Sequence, residues 1–150
     1  MTKPTLYDFA LIKFSDMETT PAFTTLCGIV GVQVNQSVES QDRRVRDCAT
    51  PALPGDLDST IVGTTWTISG TGRTNADQRA TIQTDLLGKK VNYKVEYYKY
   101  DGTNTGDLIG TDAGLAIMEA LNINTDPDSG TSDMEINLKG QGALTYTAAP

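Results

Sequence analysis

The side chains best suited to nucleophilic or metal chemistry are sparse in this sequence. The 150 residues include no histidine and only two cysteines, Cys27 and Cys48. Without histidine, the Ser–His and Cys–His pairs that activate nucleophiles are excluded. Two cysteines alone are also too few for a zinc site made only of protein ligands. The sequence therefore predicts that the protein is not an enzyme, with no catalytic residues and no metal site.

The sequence patterns typical of nucleotide-cofactor binding, calcium binding and glycoside hydrolysis are also missing. The glycine-containing segments 70–73 and 140–142 match neither the dinucleotide-binding nor the P-loop pattern, so we expect close backbone contacts there and no cofactor. Segment 126–133 resembles a calcium loop only loosely and is predicted to be a turn. Paired carboxylates could support glycoside hydrolysis, but the spacing of Asp and Glu does not place two of them at a cleft, and they are predicted to lie mainly in turns or on outward positions.

The compartment in which the protein is made determines whether its two thiols are expected to form a disulfide. The chain opens without a basic region followed by an apolar one, and no window approaches the roughly 18 apolar residues of a membrane span. We expect synthesis in the cytosol and no membrane insertion. Disulfides are uncommon there, so Cys27 and Cys48 are predicted to be reduced and partly buried.

Charge is distributed unevenly. The net charge is −7, which disfavours a nucleic-acid binder with a basic footprint. The segment 101–138 contains no Lys or Arg, so it is either a solvated face or a surface that repels another polyanion. Its eight acidic residues are Asp101, Asp107, Asp112, Glu119, Asp126, Asp128, Asp133 and Glu135.

A basic cluster lies in the long segment 40–60, between two predicted strands. This segment contains Pro51, Pro54 and Gly55, and because a structureless connection of this length is unusual in a compact domain, we predict a long protruding arm. The nearby acids largely offset its arginines, which favours contact with protein over contact with nucleic acid. The charged residues of the arm are Arg43, Arg44, Arg46, Asp47, Asp56 and Asp58, with Asp42 beside them.

Period-two alternation predicts the elements that must position these residues. In segment 30–39, Val30, Val32, Val34 and Val38 alternate with polar residues; segment 61–70 places Val62, Trp66 and Ile68 on one face, with Trp66 as a core anchor. Segments 90–100 and 133–141 are also predicted strands. Segment 113–123 has helix-favouring residues but alternates, and we predict a strand.

One helix is predicted over residues 75–87. Asn75 is a suitable N-cap, Ala76, Ala80, Gln83 and Leu87 share a face, and Gly88 follows as a stop. With 22 threonines favouring pleated surface, the chain is predicted to be mainly β, with six or so strands. We expect one domain over residues 1–150, a β-sandwich or barrel-like module with one flanking α-helix.

Four segments in a fixed order carry a resemblance to a known family. The chain resembles the major tail tube proteins of long-tailed, siphovirus-like bacteriophages and of gene-transfer-agent particles. The segments are 23–29 (FTTLCGI), 47–54 (DCATPALP), 65–72 (TWTISGTG) and 138–145 (LKGQGALT).

The resemblance implies a structural virion protein whose copies form hexameric rings, stacked helically into a tube through which the genome leaves. It implies a β-sandwich with one helix, an arm that reaches the adjacent ring, and a location in the virion tail after assembly in the host bacterial cytoplasm. Implied partners are further copies of the chain, the tape measure, tail terminator and distal tail proteins, and phage DNA that passes without specific binding.

We add a hypothesis about charge: acidic groups lie partly along the lumen and repel DNA, while Arg43, Arg44 and Arg46 meet acidic groups of a neighbouring ring. The predicted lumen-facing residues are Gln33, Asn35, Ser37, Asp133, Glu135 and Asn137.

Two alternatives stay open. The first is a β-sandwich carbohydrate-binding or surface recognition module, with Tyr97, Tyr98 and Tyr100 as a stacking platform for sugar rings. The second is the tube protein of a contractile tail or secretion apparatus, which shares the fold according to the resemblance. Microscopy of self-assembly distinguishes the first alternative from a tube protein.

Overall fold

The computed structural model describes residues 4–15 and 22–150. It confirms a mainly β protein, although the described residues form eight strands and not six. The strands are β1 (Phe9–Ser15), β2 (Phe23–Thr25), β3 (Ile29–Val45), β4 (Asp56–Arg73), β5 (Lys90–Lys99), β6 (Asp107–Asp126), β7 (Thr131–Gly140) and β8 (Thr145–Ala148). Helix α1 (Arg79–Thr81) continues into a π-helical turn, Ile82–Leu86.

All eight strands belong to one antiparallel sheet that folds on itself. Its order is β2-β1-β5-β6-β7-β4-β3, and β8 pairs with β6. The 20-residue strand β6 is shared between two halves of the sheet: its first part pairs with β5 and β8, and its second part pairs with β7. Ile12 of β1 packs against Gly70 of β4 across the fold, so the two halves enclose the core as in a sandwich.

Alternating residues from both halves fill this core. Ile12 and Val95 come from one half, and Ile68, Ile136 and Leu138 come from the other; all five are buried. Trp66 is only 4% exposed, which confirms the predicted core anchor. A Cβ on Gly140 would lie 2.2 Å from the Trp66 ring, so glycine is required for this close approach and the predicted backbone contact at segment 140–142 is confirmed.

The helix lies in the predicted segment but is shorter, and it buries a different face. It covers residues 79–86, and Ile82 and Leu86 are its buried residues, whereas Ala76, Ala80 and Gln83 are exposed. Asn75 is not the N-cap, because its side-chain oxygen accepts from Asp77 N in a turn that precedes the helix. The stop is confirmed, since Gly88 has a φ of 76°.

The segment predicted to form a long arm, residues 40–60, consists largely of strands, which extend beyond the strands predicted over 30–39 and 61–70. β3 continues to Val45 and β4 begins at Asp56, so only residues 46–55 lie outside the strands. β4 pairs with β7 only from Thr67 onward. Residues 36–65 therefore form a two-stranded ribbon that leaves the sheet, and we call them the arm. The rest of the described chain is the body.

The other predicted strands are confirmed, including 113–123 inside β6. The apolar face predicted for 30–39 was wrong at two positions: Val32 and Val34 are half-buried, but Val30 and Val38 are exposed. Val30 lies at a bulge, and Val38 lies where the arm has left the core. Val62, predicted on the same face as Trp66, is likewise exposed in the arm.

Candidate functional site

The six residues predicted to face a lumen share one exposed face of the sheet, with Ser37 at the root of the arm and the other five in the body. Residues directly opposite each other in antiparallel strands lie on the same side of a sheet. The register Gln33↔Ser69 connects β3 to β4, and Ser69↔Asn137 connects β4 to β7. The face is continuous across β3, β4, β7 and β6, and we call it the polar face. Its predicted members Gln33, Asn35, Ser37, Asp133, Glu135 and Asn137 are all exposed.

Hydroxyl and amide groups dominate the polar face. Ser37 Oγ lies 2.7 Å from Thr65 Oγ1, and Ser69 Oγ donates to Asn137 Oδ1 over 2.9 Å. These cross-strand pairs hold neighbouring strands in register. The face therefore offers many polar groups that bind water without carrying charge.

The acidic residues of segment 101–138 do not gather on one surface. Asp101 and Asp126 hold turns through their side chains, and Asp112 is buried. Asp133, on the polar face, is paired with Arg73 at 2.8 Å. Glu135 shares that face, and no ion pair involves it among the described residues. Folding thus disperses a charge block that is continuous in the sequence.

The sheet half that carries the polar face has two open edges. Within the described part of the chain, β3 is paired along one edge only, to β4. β6 pairs with β5 no further than Ile117, and from Ala120 to Asp126 its only ladder partner is β7. Strand order makes the two open edges antiparallel to each other. Unpaired edges of this kind are templates for further strands.

The three arginines of the arm bind atoms of their own arm. Arg43 pairs with Asp58 across the ribbon at 3.2 Å, Arg44 donates to Gly55 O at 3.2 Å, and Arg46 donates to Pro51 O at 3.0 Å. Asp47 Oδ1 accepts from Ala49 N at 2.9 Å. In the single chain, these residues predicted to contact another ring therefore make contacts within the outer part of the arm. Asp56, the remaining one, pairs with Val45 in the strand ladder.

The tyrosine platform of the carbohydrate-binding alternative does not form. Tyr97 stacks on Tyr7 on one side of β5, with ring centroids 4.4 Å apart. Tyr98 and Tyr100 lie on the other side, where both contact the Phe9 ring. Alternation along a strand sends neighbouring side chains to opposite faces, so the three rings cannot stack on one sugar chain.

Several polar side chains in the other half of the sheet pair with one another, whereas the buried Tyr93 hydroxyl has no hydrogen-bond partner among the described residues. Tyr97 donates to the buried carboxylate of Asp112 over 2.6 Å, and burial together with this bond raises the Tyr97 pKa. Burial opposes ionisation of Glu96, but hydrogen bonds from Tyr98 and Lys13 outweigh it and lower the Glu96 pKa. Lys13 Nζ lies 2.9 Å from Glu96 Oε2. These pairings stabilise the body.

Both cysteines are free, and both are exposed, so the expectation of partial burial was wrong. Cys27 precedes the turn into β3, and Cys48 lies at the arm tip; neither position has a core to face. In the described ranges, no group of three or more His, Cys, Asp or Glu residues is placed to hold a metal ion. No helix among the described residues is long and apolar enough to cross a membrane.

Sequence reasoning missed two features of this region: the open edge of β6 and the ordered arm tip. The edge has no local signal, because it depends on where β5 stops pairing. The tip does have one, since Asp47 precedes a Pro- and Gly-containing segment typical of turns.

Neither a family model nor a curated protein matches the sequence. Solved structures do match by shape. A chain from the tail of an empty gene transfer agent particle, refined helically with C6 symmetry, has a TM-score of 0.63 and 21% identity over 92% of this chain and 95% of that chain. A chain of the sheath–tube complex of an extracellular contractile injection system (PVC) has a TM-score of 0.66 and 14% identity, covering 97% and 93%.

The tail tube of SPP1 has a TM-score of 0.56 and 15% identity, covering 97% of this chain and 80% of that chain. Identities at this level establish the fold and not the role of individual residues. They agree with the sequence-based prediction of a sandwich-like β fold with one helix. The chain therefore has the fold of tail tube proteins.

Proposed function

We propose that this chain is a structural virion protein, the subunit of a tail tube that conducts a genome into a host cell. One observation carries the proposal. The half of the sheet made of β3, β4, β7 and β6 has an unpaired edge on each side, and it belongs to a fold shared with tail tube proteins. A lone subunit leaves both edges unpaired. Assembly into a ring pairs them, and the role requires no catalysis.

Ring closure follows from the directions of the edges. β3 of one copy lies beside the 120–126 edge of β6 in the next, and the two strands run antiparallel, as strands within the subunit do. The gene transfer agent tail has C6 symmetry. Six copies arranged in that way give a closed wall of 24 strands, with no open edge left in that wall.

The polar face then lines the lumen. Its hydroxyls and amides keep water at the wall, and Glu135 adds a negative charge that repels DNA phosphates. DNA passes without specific binding. Lumen placement of Gln33, Asn35, Ser37, Asp133, Glu135 and Asn137 is part of this proposal.

The arm connects one ring to the next, so that rings stack helically. The partners are other copies of this chain and the proteins that start, measure and end a tail: the distal tail, tape measure and tail terminator proteins. Similar chains occur in a sheath/tube terminator and in a tube-terminating cap. The subunit assembles in the host bacterial cytoplasm and resides in the virion tail.

Electron microscopy of the concentrated full chain tests the proposal. We expect rings or hollow tubes from the parent protein. Ile123→Lys, on the open edge of β6, should abolish them while the subunit stays folded by circular dichroism, because charge on an edge blocks strand addition. Tyr100→Lys, an exposed site away from that edge, is the matched control and should assemble normally. The proposal would be contradicted if the concentrated parent protein stays monomeric even after a purified distal tail complex is added to initiate assembly.

A further inference from the structure

The arm ends in a compact tip, residues 46–55, whose charged side chains are used internally. Asp47 O accepts from Thr50 N at 3.2 Å, and Thr50 O accepts from Leu53 N at 3.1 Å, which makes two consecutive turns. Arg46 and Arg44 hold the carbonyls of Pro51 and Gly55. The tip is therefore preorganised before it meets any partner, which lowers the entropy cost of binding.

The surface that this tip presents is apolar. Residues 49–54 contain Ala, Thr and Pro together with Leu53, and no charged residue. Leu53 is 59% exposed. A rigid, uncharged tip with one projecting leucine has the character of a binding anchor.

A cavity of about 460 Å³ lies at the other end of the arm, where it leaves the body. Val38 and Thr64 of the arm line one side, Ala143 and Leu144 line the other, and Trp66 lines it as well. Trp66 is fixed there, because its Nε1 donates to Gly142 O over 2.9 Å. We call this space the arm-root cavity. Gln36, Ser37 and Thr65 also line it, and its apolar part, formed by Val38, Trp66, Ala143 and Leu144, suits an aliphatic side chain.

The lengths of arm and body match. The arm part of β3, residues 36–45, has as many residues as the 10-residue body strand β7. Strands rise about 3.3 Å per residue, so each measures roughly 33 Å. A second copy moved by one body length along the strands brings its own arm-root cavity level with the tip of the first.

We propose that Leu53 at the arm tip of one copy docks in the arm-root cavity of a copy in the next ring. This inference rests on the proposed function, and it gives stacking an apolar contact in place of the arginine contacts expected from the sequence. The arginines then act as positioning residues that hold the tip in shape.

The native thiol of Cys48 gives a direct test, because it lies within the tip and is exposed. We would assemble tubes from a chain that carries Cys27→Ser and Ala143→Cys, then add oxidised dithiothreitol. Each pair of thiols that meets would form a disulfide, losing two protons and two electrons as the cyclic oxidant is reduced to its dithiol. Disulfides form only when the two Cα atoms lie within about 7 Å.

We expect a ladder of covalent multimers on a non-reducing gel. The control chain carries Cys27→Ser and Lys99→Cys, which puts the new thiol on the exposed end of β5. The multimer bands of the test chain should be at least about fivefold more intense than those of the control. Intact tubes without that ladder would overturn the docking while the proposed function stands. A parent chain that forms no tubes overturns both.

Leu53→Ser supplies a second measurement. The subunit should keep its stability, since Leu53 buries little, but the concentration needed for tube growth should rise at least about tenfold, the effect of losing one anchor. Leu6→Ser, at another exposed leucine outside the arm, should leave that concentration unchanged. Equal behaviour of the two variants would count against the inference.

Discussion

The two ends of the β3–β4 ladder have the same backbone pairing and opposite surroundings. In the body, Ile68 and the neighbouring Trp66 are buried between the sheet halves. In the arm, both faces meet solvent, and Ile61 and Val62 are exposed. Isolated two-stranded ribbons are marginally stable in water. The arm in the single chain therefore depends on its own cross-strand contacts, whereas the body is stabilised by its core.

The largest expected effect comes from removing the residue where arm and body meet. Trp66→Ala should reduce the free energy of unfolding by about 3–5 kcal/mol, because a large buried ring leaves a cavity. Val62→Ala, four residues away in the arm, should cost less than about 0.5 kcal/mol because Val62 is 65% exposed. Urea unfolding of both variants checks this. Equal losses would mean that the arm is packed in the free subunit.

A smaller effect, confined to the body, depends on pH. Glu96→Gln removes the charge that Lys13 and Tyr98 stabilise and should cost about 1 kcal/mol at neutral pH. Because the Glu96 pKa is lowered in the folded state, its contribution is present above the pKa of the unfolded chain. It is lost as pH falls through the folded value.

The parent and Glu96→Gln should therefore converge in stability toward acid pH, in denaturation curves recorded from neutral pH downward. A stability difference between the two proteins that stays constant over the whole pH range would show that packing, and not charge, causes it. Assembly should be unaffected at neutral pH, since Glu96 lies outside both the arm and the open edges.

The smallest effect concerns the arm. Arg43→Asp should lower global stability by less than about 1 kcal/mol, because the Arg43–Asp58 pair is exposed. It should nevertheless speed amide hydrogen exchange in residues 40–60, since an isolated ribbon has few other contacts. The double variant Arg43→Asp, Asp58→Arg should restore the parent exchange rates. Failure of the swap to restore them would indicate that Arg43 acts on something other than Asp58.

Local patterns predicted much of the body. Alternation located the strands around Ile68, Tyr93 and Ile136, because one face of each is buried and the sequence records that burial at every second position. The same rule failed for Val38 and Val62, where the ladder continues after the core has ended. Backbone pairing in the arm does not require burial, so hydrophobic periodicity cannot report it.

The sequence by itself determined the mainly β class, the core position of Trp66, the polar alternation that makes Gln33 and Asn137 outward, and the absence of histidine-dependent chemistry. Each follows from the type and spacing of nearby residues. Tertiary structure alone decided that the polar residues of β3 and β7 share one face, that β6 leaves an open edge, and that Arg43, Arg44 and Arg46 bind their own arm. Those outcomes depend on strand order and register, which bring together residues distant in the chain, and no local pattern encodes them.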